Sequence, residues 1–177
     1  MLSEAGREYF ERISRGVSLA KLRPLVAGGE TRAESVRNAL DHVNPYTKIV
    51  AVHDGARPFV TVDEIERTIR KAETVGAACL VADVTDTIKE VDTSFELLRK
   101  TLDRTHLRRA LTPQAFRLDI LQHAFRDFDA TATDECYLVE RLDYYYDIGY
   151  VEGSSRNIKI TRKEDLAIAE AILAAID

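Results

Sequence analysis

The chain has 177 residues, 45% of them hydrophobic and 31% charged, and its formal net charge is −5. This composition predicts one folded domain over residues 1–177. It argues against disorder, a membrane span and nonspecific nucleic-acid binding. The opening residues lack the apolar centre of a secretory signal, so we expect a cytoplasmic protein. Cys79 and Cys136 do not have the spacing of a metal motif, and we predict that both are buried thiols.

Three Thr-x-x-Glu sequences predict where helices begin. In this pattern the Thr and Glu side chains each accept a hydrogen bond from a backbone N–H that the first helical turn leaves without a partner. The three pairs are Thr31 with Glu34, Thr61 with Glu64, and Thr161 with Glu164. Each pair therefore marks a predicted helix start.

Residues 48–83 predict a strand, a helix and a second strand. The first strand lies within KIVAVHDGARPFV, residues 48–60, and the helix follows Thr61 and ends at Gly76. The apolar face of this helix comprises Val62, Ile65, Ile69 and Ala72. The run AACLVAD then has the pattern of a strand covered on both faces, so the whole stretch resembles the crossover unit of an α/β domain.

The remaining chain predicts an excursion followed by further helices and strands. Residues 86–111 lack helical periodicity, and VDTS within them is typical of a hairpin tip. Thr112–Pro113 predicts one helix start, and Thr133 with two following acids predicts another. NIKIT, residues 157–161, predicts a strand before a last helix whose apolar face comprises Leu166, Ala169, Leu173 and Ile176. Together these elements predict an α/β sandwich.

Asp54 and Arg57 stand where a predicted strand passes into a loop. Ligands bind beyond the carboxyl ends of parallel strands, because loops and helix N-termini converge there. The carboxylate of Asp54 suits a divalent metal or the orientation of a nucleophile, and the guanidinium of Arg57 suits a phosphate. The alternative is an ion pair that only holds the loop. We expect the neighbouring His53 to be a hydrogen-bonded structural group without a catalytic role.

The sequence VAGGETRAESV offers a second candidate site, this time for an anion. Gly28 and Gly29 lead into a helix whose first turn has unsatisfied backbone donors, and Arg32 and Ser35 lie one turn apart on the same side. The alternative is that two glycines before a helix form only a turn.

Positive charge is concentrated between residues 99 and 109, where five basic residues against one acid give +4 with His106 neutral. The basic residues are Arg99, Lys100, Arg104, Arg108 and Arg109. A solvated face or a salt-bridged dimer contact is favoured, because a nucleic-acid patch fits poorly with an acidic chain. Lys159 is a separate lone charge in NIKIT, and strand alternation alone would point it to solvent.

Six sequence blocks, taken in order, resemble the 2-C-methyl-D-erythritol 4-phosphate cytidylyltransferase family. The blocks are VAGGETRAESV, VHDGARPFV, DVTDTIKEV, LDRTHLRRALTPQAF, TATDE and VEGSSRNIKITRKEDLAIAE, and they run from about Val26 to the C-terminus. The resemblance implies a Rossmann-like nucleotidyltransferase fold, with a mostly parallel sheet in a three-layer sandwich and a protruding β-arm. It also implies an enzyme of the non-mevalonate isoprenoid pathway.

The resemblance implies transfer of a cytidylyl group from CTP to 2-C-methyl-D-erythritol 4-phosphate, with release of pyrophosphate and with Mg²⁺ on the nucleotide phosphates. Such a reaction needs positioning and charge neutralisation more than covalent chemistry. Asp54 would be a catalytic residue near the metal and its tentative ligand, and Lys159 would be a catalytic residue that steadies developing charge. The residues implied to bind the nucleotide are Gly28, Gly29, Arg32, Ser35, Asp54 and Gly55. Those implied to bind the polyol phosphate are Arg57, Thr87, Arg104, Thr112 and Thr133.

Thr87 and Arg104 lie on the excursion, which in the family is an arm that exchanges with a second subunit and completes its site. The resemblance therefore implies a homodimer. Two other interpretations stay open. One is a cytidylyltransferase for another polyol phosphate such as ribitol 5-phosphate, and the other is a non-catalytic dimeric scaffold.

The beginning of the chain departs from the family pattern. The family starts with an apolar strand and a glycine-rich loop that contains an arginine, followed by a proline and a lysine, and these groups hold the CTP triphosphate. Residues 1–25 resemble instead a helix and connector that the family places after that loop. We expect a fragment, a misplaced start site or a lost first strand, and therefore weak CTP binding, little turnover and an exposed sheet edge.

Overall fold

The structure is a computed structural model that describes residues 1–126, 131–143 and 145–176. Helices and strands alternate along the chain, which confirms the predicted α/β class. In chain order they are α1 (Glu4–Ile13), α2 (Arg32–Leu40), β1 (Ile49–Val52), α3 (Val62–Val75), β2 (Ala77–Asp83), β3 (Lys89–Asp92), β4 (Leu97–Thr101), a 3₁₀ turn (Arg104–His106), β5 (Arg108–Arg117), α4 (Leu118–Ala124), α5 (Glu135–Glu140), β6 (Ile148–Glu152) and α6 (Glu164–Ala174).

The described residues form two compact units. The first unit consists of Met1–Val50 and Phe116–Tyr146, and the second consists of Ala51–Ala115 and Asp147–Asp177. The chain thus passes from one unit to the other three times: inside β1, near the end of β5, and between Tyr146 and Asp147. The assignment of residues 1–177 to one domain stays a prediction.

Four helices build the first unit. Ser3 begins α1, where its side chain accepts a hydrogen bond from the backbone N–H of Gly6. Thr31 and Glu34 form the predicted capping box at the start of α2. The apolar core of this unit includes Ala33, Val36 and Leu40 of α2, Leu118, Ile120, Leu121 and Ala124 of α4, and Cys136, Leu138 and Val139 of α5. Burial of these side chains is the main favourable contribution to the stability of the unit.

An ion pair joins α2 to α5 inside the first unit. Both terminal nitrogens of Arg32 donate to the carboxylate of Glu135, at 2.6 and 2.9 Å, and the Glu135 side chain is only 1% exposed. Burial raises the pKa of Glu135, and the hydrogen bond from Arg32 offsets part of that increase. Glu135 therefore depends on Arg32 for its charged form.

The second unit contains most of a four-stranded sheet with the order β1-β5-β2-β6. Strand β2 is buried on both faces as predicted, and it pairs in parallel with β6 from Ala77↔Ile148 to Val81↔Glu152. The strand order corrects one detail of the predicted crossover unit, because β5 lies between β1 and β2. Helix α3 contacts β2 and β6.

Helix α3 begins and ends as predicted, and its buried side overlaps the predicted face: Ala72 is buried and Ile65 and Ile69 are half-buried. Thr61 and Glu64 form the capping box, and Gly76 ends the helix with a φ of +109°. The buried residues are Glu64, Thr68 and Ala72, whereas Val62 is 72% exposed. Glu64 is buried because its carboxylate accepts hydrogen bonds from the backbone of Thr61 and Ser154, which satisfies its charge.

The predicted excursion over residues 86–111 contains a hairpin, but residues 108–111 already belong to β5 and the tip lies two residues further along than VDTS. Strands β3 and β4 pair antiparallel in a two-stranded sheet of their own, and residues 93–96 form the tip. Cross-strand ion pairs join Arg99 to Asp92 and Lys100 to Glu90. Arg99 and Lys100 are therefore salt-bridged within the hairpin, and the choice between a solvated face and a dimer contact stays a prediction.

Three predicted element boundaries are wrong. Thr112–Pro113 does not start a helix but lies in the buried part of β5, since the whole run from Leu111 to Phe116 is covered by other residues. NIKIT is not a strand, because its main chain is held by isolated hydrogen bonds, including Arg57 to the carbonyl of Asn157. The third capping box is absent: Thr161 bonds to Asp165 instead of Glu164.

The start predicted at Thr133 is displaced, since Asp134 caps α5 and the helix begins at Glu135. Only Ala169 is buried on the predicted apolar face of α6, and Leu166, Leu173 and Ile176 are each more than half exposed. None of the described helices is long and apolar enough to cross a membrane. Cys79 and Cys136 are both buried thiols, as predicted.

We predict that Arg32→Gln destabilises the protein by about 3 kcal/mol near pH 7, because it leaves the buried Glu135 carboxylate without its partner. The loss should shrink as the pH falls toward the ordinary glutamate pKa of 4.5. The sign follows from the raised pKa of Glu135: in that pH range the folded state holds a proton that the unfolded state has lost, so acid favours folding. Urea denaturation at about pH 7 and about pH 5 measures both effects.

The matched control is Arg70→Gln, which breaks an Arg70–Glu66 pair whose side chains are 63% and 58% exposed. That change should alter stability by less than about 0.5 kcal/mol at either pH. An equal loss for Arg32→Gln at both pH values would show that the charge of Glu135 is not the cause.

Candidate functional site

A carboxylate held between two cations is the centre of the candidate site in the second unit. Asp54 follows β1, and its Oδ2 lies 3.0 Å from Nζ of Lys159 and 3.5 Å from Nε of Arg57. Asp54 and Arg57 are mostly buried, with side chains 13% and 12% exposed, whereas Lys159 is 40% exposed. The structure therefore brings together three predicted site residues, and it leaves the ammonium group accessible to a ligand.

The Arg57 side chain is positioned by two different contacts. Its Nη1 donates to the main-chain carbonyl of Asn157 at 2.9 Å. Its Nε lies near Asp54 but does not have hydrogen-bond geometry, and it is a buried donor without a hydrogen-bond partner among the described residues. The guanidinium is therefore fixed in place while part of its hydrogen-bonding capacity is not used by the protein.

Thr112 of β5 contacts the same loop. The backbone N–H of Asp54 donates to Oγ1 of Thr112 at 3.1 Å, and the carbonyl of Thr112 accepts from the Asn157 side chain at 3.0 Å. Oγ1 also lies 3.0 Å from Nδ1 of His53. Thr112 is thus a fourth predicted site residue that the structure places at this cluster.

Lys159 reaches Asp54 from a segment that lies outside the sheet. The backbone N–H of Ile160 donates to the carbonyl of Ala56 at 2.9 Å, and this bond places the segment beside the Asp54 loop. Strand alternation had suggested that Lys159 points to solvent. The segment is not a strand, so that alternation does not apply.

The glycine pair before α2 lies in the first unit with Arg32 and Ser35. The N–H of Gly29 donates to Oγ of Ser35 at 2.9 Å, and a Cβ on Gly29 would collide with Glu34. The N–H of Gly28 donates to the carbonyl of Leu2. These donors are engaged within the protein here, so nucleotide binding by this group stays a prediction.

The remaining predicted site residues occupy exposed positions. Thr87 and Arg104 lie at the base of the arm in the second unit, where a terminal nitrogen of Arg104 donates to the carbonyl of Thr85. Gly55 has no neighbouring atom where a side chain would begin, and Thr133 is exposed just before α5. Their roles toward ligands stay predictions.

The described residues contain no group of three His, Cys, Asp or Glu side chains that could hold a metal ion. Mg²⁺, however, is usually bound through one or two carboxylates together with substrate phosphates. Asp54 is the single carboxylate in the cluster of Asp54, Arg57 and Lys159. One carboxylate fits a cation that arrives bound to a nucleotide better than a cation held by the protein alone.

Two buried polar residues, one in each unit, were missed in the sequence. Asn157 is 1% exposed and contacts both Thr112 and Arg57, and the only sequence signal for it is its position two residues before Lys159. Glu135 follows Thr133 in TATDE, but nothing in a single sequence shows that this acid is buried against Arg32.

Comparisons with known proteins identify the family of this chain. A sequence model for IspD, 2-C-methyl-D-erythritol 4-phosphate cytidylyltransferase, matches residues 1–175. The cytidylyltransferase of that name from Bacillus velezensis is 41% identical over 99% of this chain and 75% of its own length. The one from Syntrophus aciditrophicus is 43% identical over 92% of this chain and 70% of its own length.

Solved structures give the same result. The 4-diphosphocytidyl-2C-methyl-D-erythritol synthase from Anaerococcus prevotii superposes with a TM-score of 0.86 at 26% identity, covering 97% of this chain and 78% of the other. The 2-C-methyl-D-erythritol 4-phosphate cytidylyltransferase from Thermus thermophilus has a TM-score of 0.72 at 32% identity, covering 86% and 77%. These matches confirm the predicted Rossmann-like nucleotidyltransferase fold. The chain belongs to the 2-C-methyl-D-erythritol 4-phosphate cytidylyltransferase family.

Proposed function

We propose that this chain transfers a cytidylyl group from CTP to 2-C-methyl-D-erythritol 4-phosphate, a step of the non-mevalonate isoprenoid pathway. The observation that carries the proposal is the cluster of Lys159, Arg57 and Asp54 in a member of this family. A phosphate oxygen of the polyol phosphate attacks the α-phosphorus of CTP. The bond between the α-phosphorus and the oxygen that bridges the α- and β-phosphates breaks, and the β- and γ-phosphates leave as pyrophosphate.

The cluster supplies the electrostatics that this reaction needs. Two cations against one carboxylate give it a local charge of +1 although the whole chain carries −5. The accessible Nζ of Lys159 is suited to the transferring phosphoryl group, and Arg57 is suited to the phosphate of the acceptor. Asp54 holds both cations in place, and with Mg²⁺ on the nucleotide it would be the protein ligand. The metal, when bound, would neutralise charge on the CTP phosphates.

A homodimer formed through the arm is part of the proposal. The hairpin β3–β4 exposes Val91, Phe95, Leu97 and Leu98, each at least half exposed. Apolar side chains on a protruding hairpin suit a second copy of the chain, and Thr87 and Arg104 would then contribute to the partner's site. The cytoplasmic location also stays a proposal, and the two buried thiols fit a reducing compartment.

Pyrophosphate release decides the function and the acceptor. With CTP and Mg²⁺ at high protein concentration, we expect release with 2-C-methyl-D-erythritol 4-phosphate and much less with ribitol 5-phosphate. Release only with ribitol 5-phosphate would assign the chain to the other polyol phosphate. No release with either acceptor would favour a non-catalytic dimer.

We predict that Lys159→Met lowers kcat by about 10²–10³-fold, as expected for loss of one donor to a transition-state charge. Asp54→Asn should also reduce turnover steeply, because Lys159 and Arg57 lose the charge that orients them. Lys163→Met is the control, since this lysine lies four positions along the same segment and precedes α6. Equal activities of the Lys159 and Lys163 variants would contradict the role of Lys159.

Mixing two inactive variants tests the shared site. Arg104→Ala is predicted to damage the partner's site, so a mixture with Asp54→Asn chains should form some intact sites and regain up to about a quarter of the activity, as random pairing of subunits implies. Arg70→Ala mixed with Asp54→Asn provides the control for simple dilution. A mixture that stays as inactive as its components would argue against exchange of the arm.

A further inference from the structure

His53 is the residue of the site that the proposed mechanism does not use. It lies between Val52, the end of β1, and Asp54, and both of its ring nitrogens have a partner. Nε2 lies 3.1 Å from the main-chain carbonyl of Arg57, and Nδ1 lies 3.0 Å from the hydroxyl of Thr112. The ring thus touches two residues that the family resemblance assigns to the polyol phosphate.

These partners determine where the imidazole carries its proton. A carbonyl oxygen can only accept, so the contact with Arg57 requires a hydrogen on Nε2. In the neutral ring Nδ1 then has no hydrogen and must accept. Its partner is the Thr112 hydroxyl, which has one hydrogen to donate. The neutral imidazole is therefore the Nε2–H tautomer.

The hydrogen bonds consequently run in one direction. The backbone N–H of Asp54 donates to Oγ1 of Thr112, the Thr112 hydroxyl donates to His53, and His53 donates to the Arg57 carbonyl. Asn157 links Arg57 back to Thr112. Its main-chain carbonyl accepts from the Arg57 guanidinium, and its side-chain amide donates to the Thr112 main-chain carbonyl. Thr112, His53, Arg57 and Asn157 are thus joined in a closed circuit of hydrogen bonds beside Asp54.

This direction has a consequence for substrate recognition. Thr112 uses its only hydroxyl hydrogen on His53, so Oγ1 can offer a ligand a lone pair but not a donor. Arg57 and Lys159 remain the donors for phosphate.

We infer that His53, as the Nε2–H tautomer, is a positioning residue that fixes the Thr112 hydroxyl and the Arg57 main chain for binding of the polyol phosphate. The inference rests on the proposed function. His53 acts through Thr112 and Arg57, the partners of its two ring nitrogens.

The first test reads the tautomer directly in the wild-type full-length chain. Nitrogen-15 NMR of the imidazole at about pH 8, where free imidazole is neutral, should show a protonated Nε2 and a bare Nδ1. Thr112→Val should shift the Nδ1 resonance and leave Nε2 nearly unchanged. A hydrogen on Nδ1 would overturn the inference, whether or not any His53 variant folds.

The second test separates positioning from stability. His53→Leu should weaken binding of 2-C-methyl-D-erythritol 4-phosphate about tenfold in titration calorimetry, as expected for loss of one oriented hydrogen bond, with CTP binding unchanged. His53→Asn can present an acceptor near the position of Nδ1, and it should recover most of the affinity. His53→Gln presents a group near Nε2 and should recover less.

The outcomes distinguish this inference from the proposed function. If the wild type turns over substrate but His53→Leu changes only the unfolding midpoint, the positioning role fails and the function stands. If the wild type neither binds the polyol phosphate nor releases pyrophosphate, the function fails, and the role of His53 in binding fails with it. The tautomer would still be read from the NMR spectrum.

Discussion

The Asp54 carboxylate can be nearly buried only because two cations accompany it. An isolated carboxylate taken out of water costs several kcal/mol even after the protein relaxes, and that cost is recovered only with good geometry. Lys159 at 3.0 Å supplies the close ion pair of Asp54, and Arg57 at 3.5 Å adds a second positive charge without a hydrogen bond from its Nε. The loop after β1 and the segment around Lys159 are therefore coupled. A shift of either one would separate the Asp54 carboxylate from a positive charge.

The same coupling extends into the sheet. Thr112 lies in the buried part of β5, and it connects the Asp54 loop to Asn157 through its hydroxyl and its carbonyl. A buried strand is a stiff support, because its backbone is hydrogen-bonded and its side chains are packed. Side chains that must hold a phosphorylated ligand to within a fraction of an ångström gain this stiffness from β5 rather than from their own loops.

Local features predicted the fold well where the determining contacts are short in sequence. The capping boxes at Thr31 and Thr61, the end of α3 at Gly76 and the turn of the β3–β4 hairpin are all decided within a few residues. The predictions that were wrong concern segments whose structure is decided by residues distant in sequence. The apolar run at Leu111 is a strand because distant residues cover it, and NIKIT is not a strand because Arg57 binds its main chain.

The candidate site was predictable for a related reason. Charged residues at Asp54, Arg57 and Lys159 contrast with the apolar patterns beside them, and the family resemblance groups them. Asn157 and His53 carry no such contrast. Their importance comes from hydrogen bonds across 45 and 59 positions of sequence, which a single chain read without coordinates does not reveal.

The β3–β4 hairpin has a consequence for the behaviour of the protein in solution. No third strand among the described residues pairs with it, so both of its outer edges present backbone groups to water. Such edges can recruit unrelated strands and lead to aggregation. Charged side chains lie on both strands: Lys89 and Glu90 on β3 have opposite signs, whereas Arg99 and Lys100 on β4 are both positive. A strand that adds to either edge must match that order of signs, so the charges that keep the hairpin soluble also restrict which chains can pair with it.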